Sequence, residues 1–355
     1  MPPGFTRRLT VYTFIAVVVF LLVRRFRHFD GLPFNLQTHS KGFRWKDAPI
    51  RHPVQSMISL PTGKAIKLPP IQFKFSQESP QEKETREKRR TFVKETFQRC
   101  WKSYWEYARG NDELAPISGG TKDHFGGWAA TMVDSLDTLY IMGMKEEFNL
   151  AVEAVARIDF GGTQLEEINV FETTIRYLGG LLGAYDLSGE HVLLEKAREV
   201  GEMIYAAFDT PNRMPILRWR LHDAAAGKYQ AAQTVVLLAE IGSLVLEFTR
   251  LSQLTGDPKY YDAVSRVTDV LEASQKQTYL PGLWPIIVNA AEMNFTADST
   301  FTFGGMADST YEYLPKTYAL LGGTAPVYQR LYEDAMATAA EHLLFRPMTP
   351  ESKYL

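Results

Sequence analysis

The residues with the clearest capacity for chemistry are carboxylates set among apolar or glycine-rich neighbours. Glu172 lies in INVFETTIRYLGGLL, Asp134 and Asp137 in FGGWAATMVDSLDTLYIMG, and Asp308 and Glu312 in FTFGGMADSTYEYL. A carboxyl group withdrawn from water is either hydrogen-bonded or shifted toward its neutral form. A carboxyl raised in this way is what a general acid requires near neutral pH. Glu172 and Arg176 are four residues apart and share one helical face. Two readings stand for them. One is an ordinary helical ion pair worth about 0.2–0.5 kcal/mol. The other is an acid and a sugar-binding cation lining a pocket. Asp134 and Asp137, three apart, read first as helix capping or a core hydrogen-bond network. Asp308 follows Gly304-Gly305 and opens a predicted helix, where a cap and a catalytic acid both fit.

Other catalytic templates fail. Cys100 is the single cysteine. It has no histidine partner, cannot close an intrachain disulfide, and is predicted to face the core of a helix. His124 and His222 lack ligand spacing, so zinc is unsupported. No phosphate-binding glycine run is present. Lys plus Arg total 39 and Asp plus Glu 41, for a net charge of -2. That balance excludes the basic excess of a typical nucleic-acid partner. The 17 tyrosines and 6 tryptophans suit stacking on sugars, although most aromatics belong to the core.

These acids need a scaffold, and from Thr91 onward the apolar residues recur at helical spacing. Phe97, Trp101 and Tyr104 form one stripe, and Leu178, Leu181 and Tyr185 another. Tyr260, Val264, Val267 and Leu271 follow Asp257-Pro258, a natural N-cap and first-turn pair. Val235 to Phe248 reads as one strongly apolar helix. Turns carry Gly and Pro, and alternating strands are scarce. The expectation is an all-α domain of packed helical pairs. Periodicity alone leaves barrel, bundle and solenoid open.

Upstream, residues 28–90 are polar and proline-bearing and read as a stem or linker. The alternative is an ordered extension wrapped on the domain. Leu9 to Val23 (LTVYTFIAVVVFLLV) carries no charge between flanking arginine pairs. It is short for a span of about 20 residues, but flanking arginines can snorkel. It reads as an uncleaved signal anchor rather than a buried or interfacial helix. Flanking charge weakly places its C-terminal side in the cytosol. Asn294-Phe295-Thr296, a glycosylation sequon, points to the lumen instead.

At DELAPISG, FGGWAATMVDSLDTLYIMG, INVFETTIRYLGGLLGAYDLSG, AFDTPNRMP and FGGMADSTYEYLPK the sequence resembles class I α-1,2-mannosidases, glycoside hydrolase family 47. The resemblance runs from about Arg90 to Leu355. It implies an (α/α)7 barrel, calcium, and inverting removal of α-1,2-linked mannose from N-linked oligomannose glycans. It implies that Glu172 is the acid, Asp308 a second catalytic carboxylate and Arg176 a substrate-binding residue. Inversion needs two carboxyls about 6.5–9.5 Å apart, with a water between. The family is typically a type II membrane protein of the Golgi or endoplasmic reticulum. That implies a luminal catalytic part and gives Asn294 meaning. The domains expected are a tail and anchor at 1–27, a stem at 28–90, and a partial catalytic domain at 91–355. A further glutamate base and a calcium-ligating threonine are expected beyond Leu355, with no metal ligand in this chain. On that expectation the barrel is incomplete and these residues alone are poorly stable and inactive. The alternative is a non-catalytic, glycan-binding relative acting in glycoprotein quality control. The anchor, with Glu172, Arg176 and Asp308 retained, favours the processing enzyme.

Overall fold

A computed structural model describes residues 43–345. The predicted span Leu9–Val23 lies outside them. Among the described residues, no helix is long and apolar enough to cross a membrane.

The first helix, α1, runs from Pro80 to Tyr107. It starts earlier than the apolar stripe predicts, because its onset is set by capping. Ser79 Oγ accepts the Glu82 N–H, and the Glu82 carboxylate accepts the Ser79 N–H. This capping box, with Pro80 in the first turn, satisfies end groups that a polar run cannot bury. Only the later turns of α1 pack inward, through Trp101, Tyr104 and Trp105. Cys100 is exposed, not core as expected. It sits one position, about 100° around the helix, from Trp101.

The next elements are short. β1 (Glu113–Leu114) pairs with β2 (Thr121–Lys122), then come α2 (Ala130–Asp134), α3 (Leu136–Ile141) and α4 (Lys145–Val155). β3 (Ile168–Asn169) leads into α5 (Val170–Thr173), a π-helical turn (Thr174–Leu178), α6 (Gly179–Ser188) and α7 (His191–Ala206). β4 (Arg218–Trp219), antiparallel to β3, precedes α8 (Leu221–Ala225). β5 (Val236–Leu237) leads into α9 (Leu238–Gly242), α10 (Val245–Thr255) and α11 (Pro258–Ser274), and pairs with β6 (Ile287–Val288). α12 (Asp308–Leu320) and α13 (Pro326–His342) complete the described helices.

Helices pair in sequence: α3 with α4, α6 with α7, α10 with α11 and α12 with α13. The first member of each pair touches the first members beside it, from α3 through α6 and α10 to α12. The second members α4, α7 and α11 touch one another in the same order. The result is two helical layers with the apolar core between them, including the fully buried Leu136, Leu181, Val200 and Phe248. Asp257 caps α11 as predicted, accepting the Lys259 N–H ahead of Pro258.

The predicted helix Val235–Phe248 is divided. Val235 is exposed, Val236 and Leu237 form β5, and the helix breaks at Ser243–Leu244. The β-branched Val236, opposite Val288 of β6, favours the extended pairing. At Gly242 close approach decides, because a Cβ there would lie 2.3 Å from Thr310 Oγ1 of α12.

Within the stretch read as a linker, residues 43–66 lie along the second-layer helices. Phe43 N–H donates to Gly161 O, and Trp45 is buried. The Arg51 and His52 amides donate to the Asp209 carboxylate, each at 2.8 Å. The Ile58 amide donates to Asp262, and Ile66 to Gly322 O. Carboxylates here take the place of a neighbouring strand for an extended backbone.

One buried acid organises the loop before α2. Asp112 is fully buried, and its carboxylate accepts four hydrogen bonds. The donors are the amides of Phe125, Gly127 and Ala130 and the Tyr177 hydroxyl. Asp112→Ala leaves those donors unmatched, at about 1–3 kcal/mol for each that stays dry. Thermal unfolding should show a loss of at least about 3 kcal/mol for Asp112→Ala and a smaller loss for Asp112→Asn.

Candidate active site

Glu172 occupies the third position of α5, directly after β3. Asn169 caps that helix, its Oδ1 accepting the Glu172 N–H at 3.1 Å. Arg176, in the π-helical turn, donates from Nε to Glu172 Oε2 at 2.8 Å and from Nη1 to Asp134 Oδ2 at 3.0 Å. Its guanidinium also lies over the Phe125 ring, 4.6 Å from the centroid. Both readings of the pair therefore meet in one geometry. There is a helical ion pair, and it is partly buried and shared with a second carboxylate. Burial raises the Asp134 carboxyl above its ordinary range, against the pull of Arg176. Burial opposes the Arg176 charge, but Glu172 and Asp134 outweigh it and hold the guanidinium above its usual value.

Asp134 and Asp137 do not act together. Asp134 ends α2, the chain breaks at Ser135, and Asp137 accepts the Thr138 hydroxyl in α3. Asp134 joins the Arg176 cluster instead of a core network. Glu312 is exposed and faces Lys316 at 3.6 Å.

A third acid enters the site that the sequence reading did not single out. Glu240 is buried, and its Oε1 accepts from Asn169 Nδ2 at 3.0 Å and Arg218 Nη2 at 2.8 Å. It repeats the placement of Glu172: a two-residue strand, two apolar residues, then the acid at the third position of a short helix. VFE after Ile168-Asn169 and LAE after Val236-Leu237 are the signal in the sequence. The first turn of a helix favours negative charge through its unpaired amides.

Asp308 begins α12 and accepts the Ser309 N–H at 2.8 Å. Its helix is fastened to the Glu240 helix at several points. Ala239 N–H donates to Met306 O, Thr310 Oγ1 to Leu238 O, and Ser243 Oγ to Ser309 Oγ. Met306 adopts a left-handed φ of 78°, which costs on the order of 1 kcal/mol in a non-glycine residue. The structure thus links Asp134, Arg176, Glu172, Asn169, Glu240 and Arg218 by direct hydrogen bonds. Asp308 joins them through its backbone neighbours.

Among the described residues, no group of three or more His, Cys, Asp or Glu side chains is placed to hold a metal ion.

Below Glu240, Glu247 of α10 projects toward α6 and α12. Tyr313 of α12 donates to its Oε1 at 2.9 Å, and Oε2 is buried with no partner. Burial pushes this carboxyl up to about 7, from an ordinary 4.5. The folded state therefore binds more protons than the unfolded state between those values. The stability contributed by this one group is fully present below about pH 4.5 and is lost as pH rises through about 7, an effect on the order of 3 kcal/mol. Glu247→Gln keeps the acceptor for Tyr313 and removes the titration. Its unfolding free energy should fall less than that of the wild type between pH 5 and 8.

Residues 96–355 match the family described as glycosyl hydrolase family 47, and the chain belongs to that family. The Arabidopsis thaliana mannosyl-oligosaccharide 1,2-alpha-mannosidase MNS1 is 42% identical over 285 residues, covering 79% of this chain and 49% of the relative. The human endoplasmic reticulum mannosyl-oligosaccharide 1,2-alpha-mannosidase is 37% identical over 255 residues, covering 71% of this chain and 35% of the relative. The solved alpha-1,2-mannosidase from Trichoderma reesei superimposes with a TM-score of 0.67 at 32% identity, over 72% of this chain and 55% of that one. The chain thus spans about half or less of these relatives' length. The mostly helical two-layer packing is that of an α/α barrel, as in the Trichoderma structure.

Proposed function

We propose that this chain carries part of an inverting α-1,2-mannosidase acting on N-linked oligomannose glycans. The observation that carries the reading is the continuous polar cluster that joins Glu172 to Arg176, Asp134 and, through Asn169, to Glu240 and Arg218. In this reading Glu172 protonates the leaving glycosidic oxygen, directly or through a water. Arg176 holds it by one oxygen and presents its remaining donors to sugar hydroxyls. Asp308 serves as a second catalytic carboxylate on an adjacent helix. An inverting reaction needs two carboxyls far enough apart to leave room for a water, and here the two come from different helices, α5 and α12. Calcium, the full count of seven helical pairs and the type II membrane anchor of a Golgi or endoplasmic reticulum protein belong to the same proposal, supported by the family.

The test is mannose release from an α-1,2-linked oligomannose glycan by the protein expressed from its complete reading frame. Glu172→Gln keeps the size and the Arg176 contact but cannot donate an acidic proton. Release should fall by at least about 100-fold, the lower end for a lost general acid, while glycan binding persists. Full release by Glu172→Gln would sink the acid assignment.

A luminal site also predicts glycosylation at Asn294. Its Oδ1 accepts from the amide and hydroxyl of Thr296, and the residue is only partly buried. Asn294→Gln should increase electrophoretic mobility by one glycan in protein made through the secretory pathway. Identical mobility before and after glycosidase treatment of the wild type would count against luminal exposure.

A further inference from the structure

We propose that Trp45, which lies well upstream of the family-matched residues 96–355, is a positioning residue for the carboxylate site. The inference rests on the reading of Glu172 and its neighbours as that site. The device is a wedge behind the β3–β4 pair. Trp45 is buried in a short 3-10 turn (Trp45–Asp47), and its ring meets Trp219 at 5.1 Å between centroids. Phe43 packs edge-on against the same ring at 4.8 Å between centroids.

Strand alternation makes this contact matter for the site. Successive strand residues point to opposite faces. Trp219 is buried toward Trp45, while Arg218 reaches Glu240. Across the pair, Ile168 is opposite Trp219 and Asn169 is opposite Arg218. Asn169 caps the Glu172 helix and holds Glu240. Two strands of two residues each have almost no stability of their own. Whatever packs behind them fixes where Asn169 and Arg218 stand, and Trp45 is part of that backing.

A second path runs from the same side chain. Trp45 Nε1–H donates to Phe160 O at 3.3 Å. The Phe160 ring lies 5.8 Å from that of Tyr177, the residue after Arg176. Tyr177 in turn donates to Asp112 and to Phe125 O, beneath the Arg176 guanidinium. One upstream tryptophan therefore backs both the Glu172–Glu240 arm and the Arg176 arm, without touching any acid.

The test uses the complete protein with three variants: Trp45→Ala, Trp45→Phe and, as a control, Arg266→Ala. Arg266 donates to Ser56 O and holds the same upstream segment at a place remote from β4. Two readouts are taken: amide exchange resolved to residues 168–172 and 217–219, and kcat and KM for mannose release. Trp45→Ala should speed exchange of the Val170 and Glu172 amides about tenfold, through local opening rather than global unfolding. It should lower kcat about tenfold with KM within about twofold, as expected when placement and not binding is lost. Trp45→Phe should recover most of both, and Arg266→Ala should change neither. Unchanged exchange at 168–172 in Trp45→Ala, or an equal rise there in Arg266→Ala, would overturn the proposal. Absence of mannose release by the wild-type protein would instead remove the hydrolase reading, and the exchange comparison would still decide whether Trp45 positions the acids.

Discussion

The buried carboxylate of Asp112 is the constraint on which the site rests. Its four donors come from three places: the Phe125–Gly127 loop, the start of α2 and the π-helical turn. A buried charge is tolerable only when its hydrogen-bonding capacity is filled. Here, filling it brings together segments that are far apart in sequence. Once α2 and the π-helical turn are joined, Asp134 and Arg176 are in reach of each other, and Phe125 lies under the guanidinium. The Asp134–Arg176–Glu172 cluster is thus a consequence of a structural one, built from a different acid.

The acids that remain share a design. Glu172 and Glu240 each stand three residues after a two-residue strand, in the first turn of a helix. Each is met by an arginine from another position, Arg176 or Arg218, and both are tied to Asn169. Helix ends and guanidinium groups offset the repulsion that clustered carboxylates would otherwise carry. The shared asparagine ties the Glu172 backbone, through its amide, to the Glu240 carboxylate. The small strands have no sheet to build. Their role is to set the entry angle of helices whose first turns carry acids.

Much of this was legible in the sequence. The helical pairs followed from apolar periodicity, and Asp257-Pro258 marked its helix start correctly. The motif around Glu172 identified the family. What escaped notice has physical reasons. The capping box Ser79-Pro80-Gln81-Glu82 lies in a charged run without an apolar period, so the helix onset was placed at Thr91. Val235–Phe248 is strongly apolar, which hides a strand, a short helix and a break just after Gly242, where Thr310 approaches closely. Glu240 sat inside that same apolar run and drew no attention. Trp45 was invisible because its partners, Trp219 and Phe160, are more than a hundred positions away.

The irregularities themselves gather where the acids do. α2 breaks directly after Asp134, a π-helical turn follows Glu172, the helix of Glu240 breaks at Ser243–Leu244, and Met306 takes a left-handed φ two residues before Asp308. π-turns and non-glycine left-handed residues cost stability and persist only when surrounding contacts enforce them. Regular helices through these positions would place each side chain at fixed steps of about 100°. They would also leave the carboxylates on whatever face the repeat dictated. Each interruption resets that phase at the residue where it matters. The first-layer helices are therefore interrupted near their acidic ends, and α12 also carries Pro315 inside it, while the second-layer helices α7, α11 and α13 run 16, 17 and 17 residues without a break. The second layer, with residues 43–66 fastened across it, supplies the regular surface against which the irregular first layer packs.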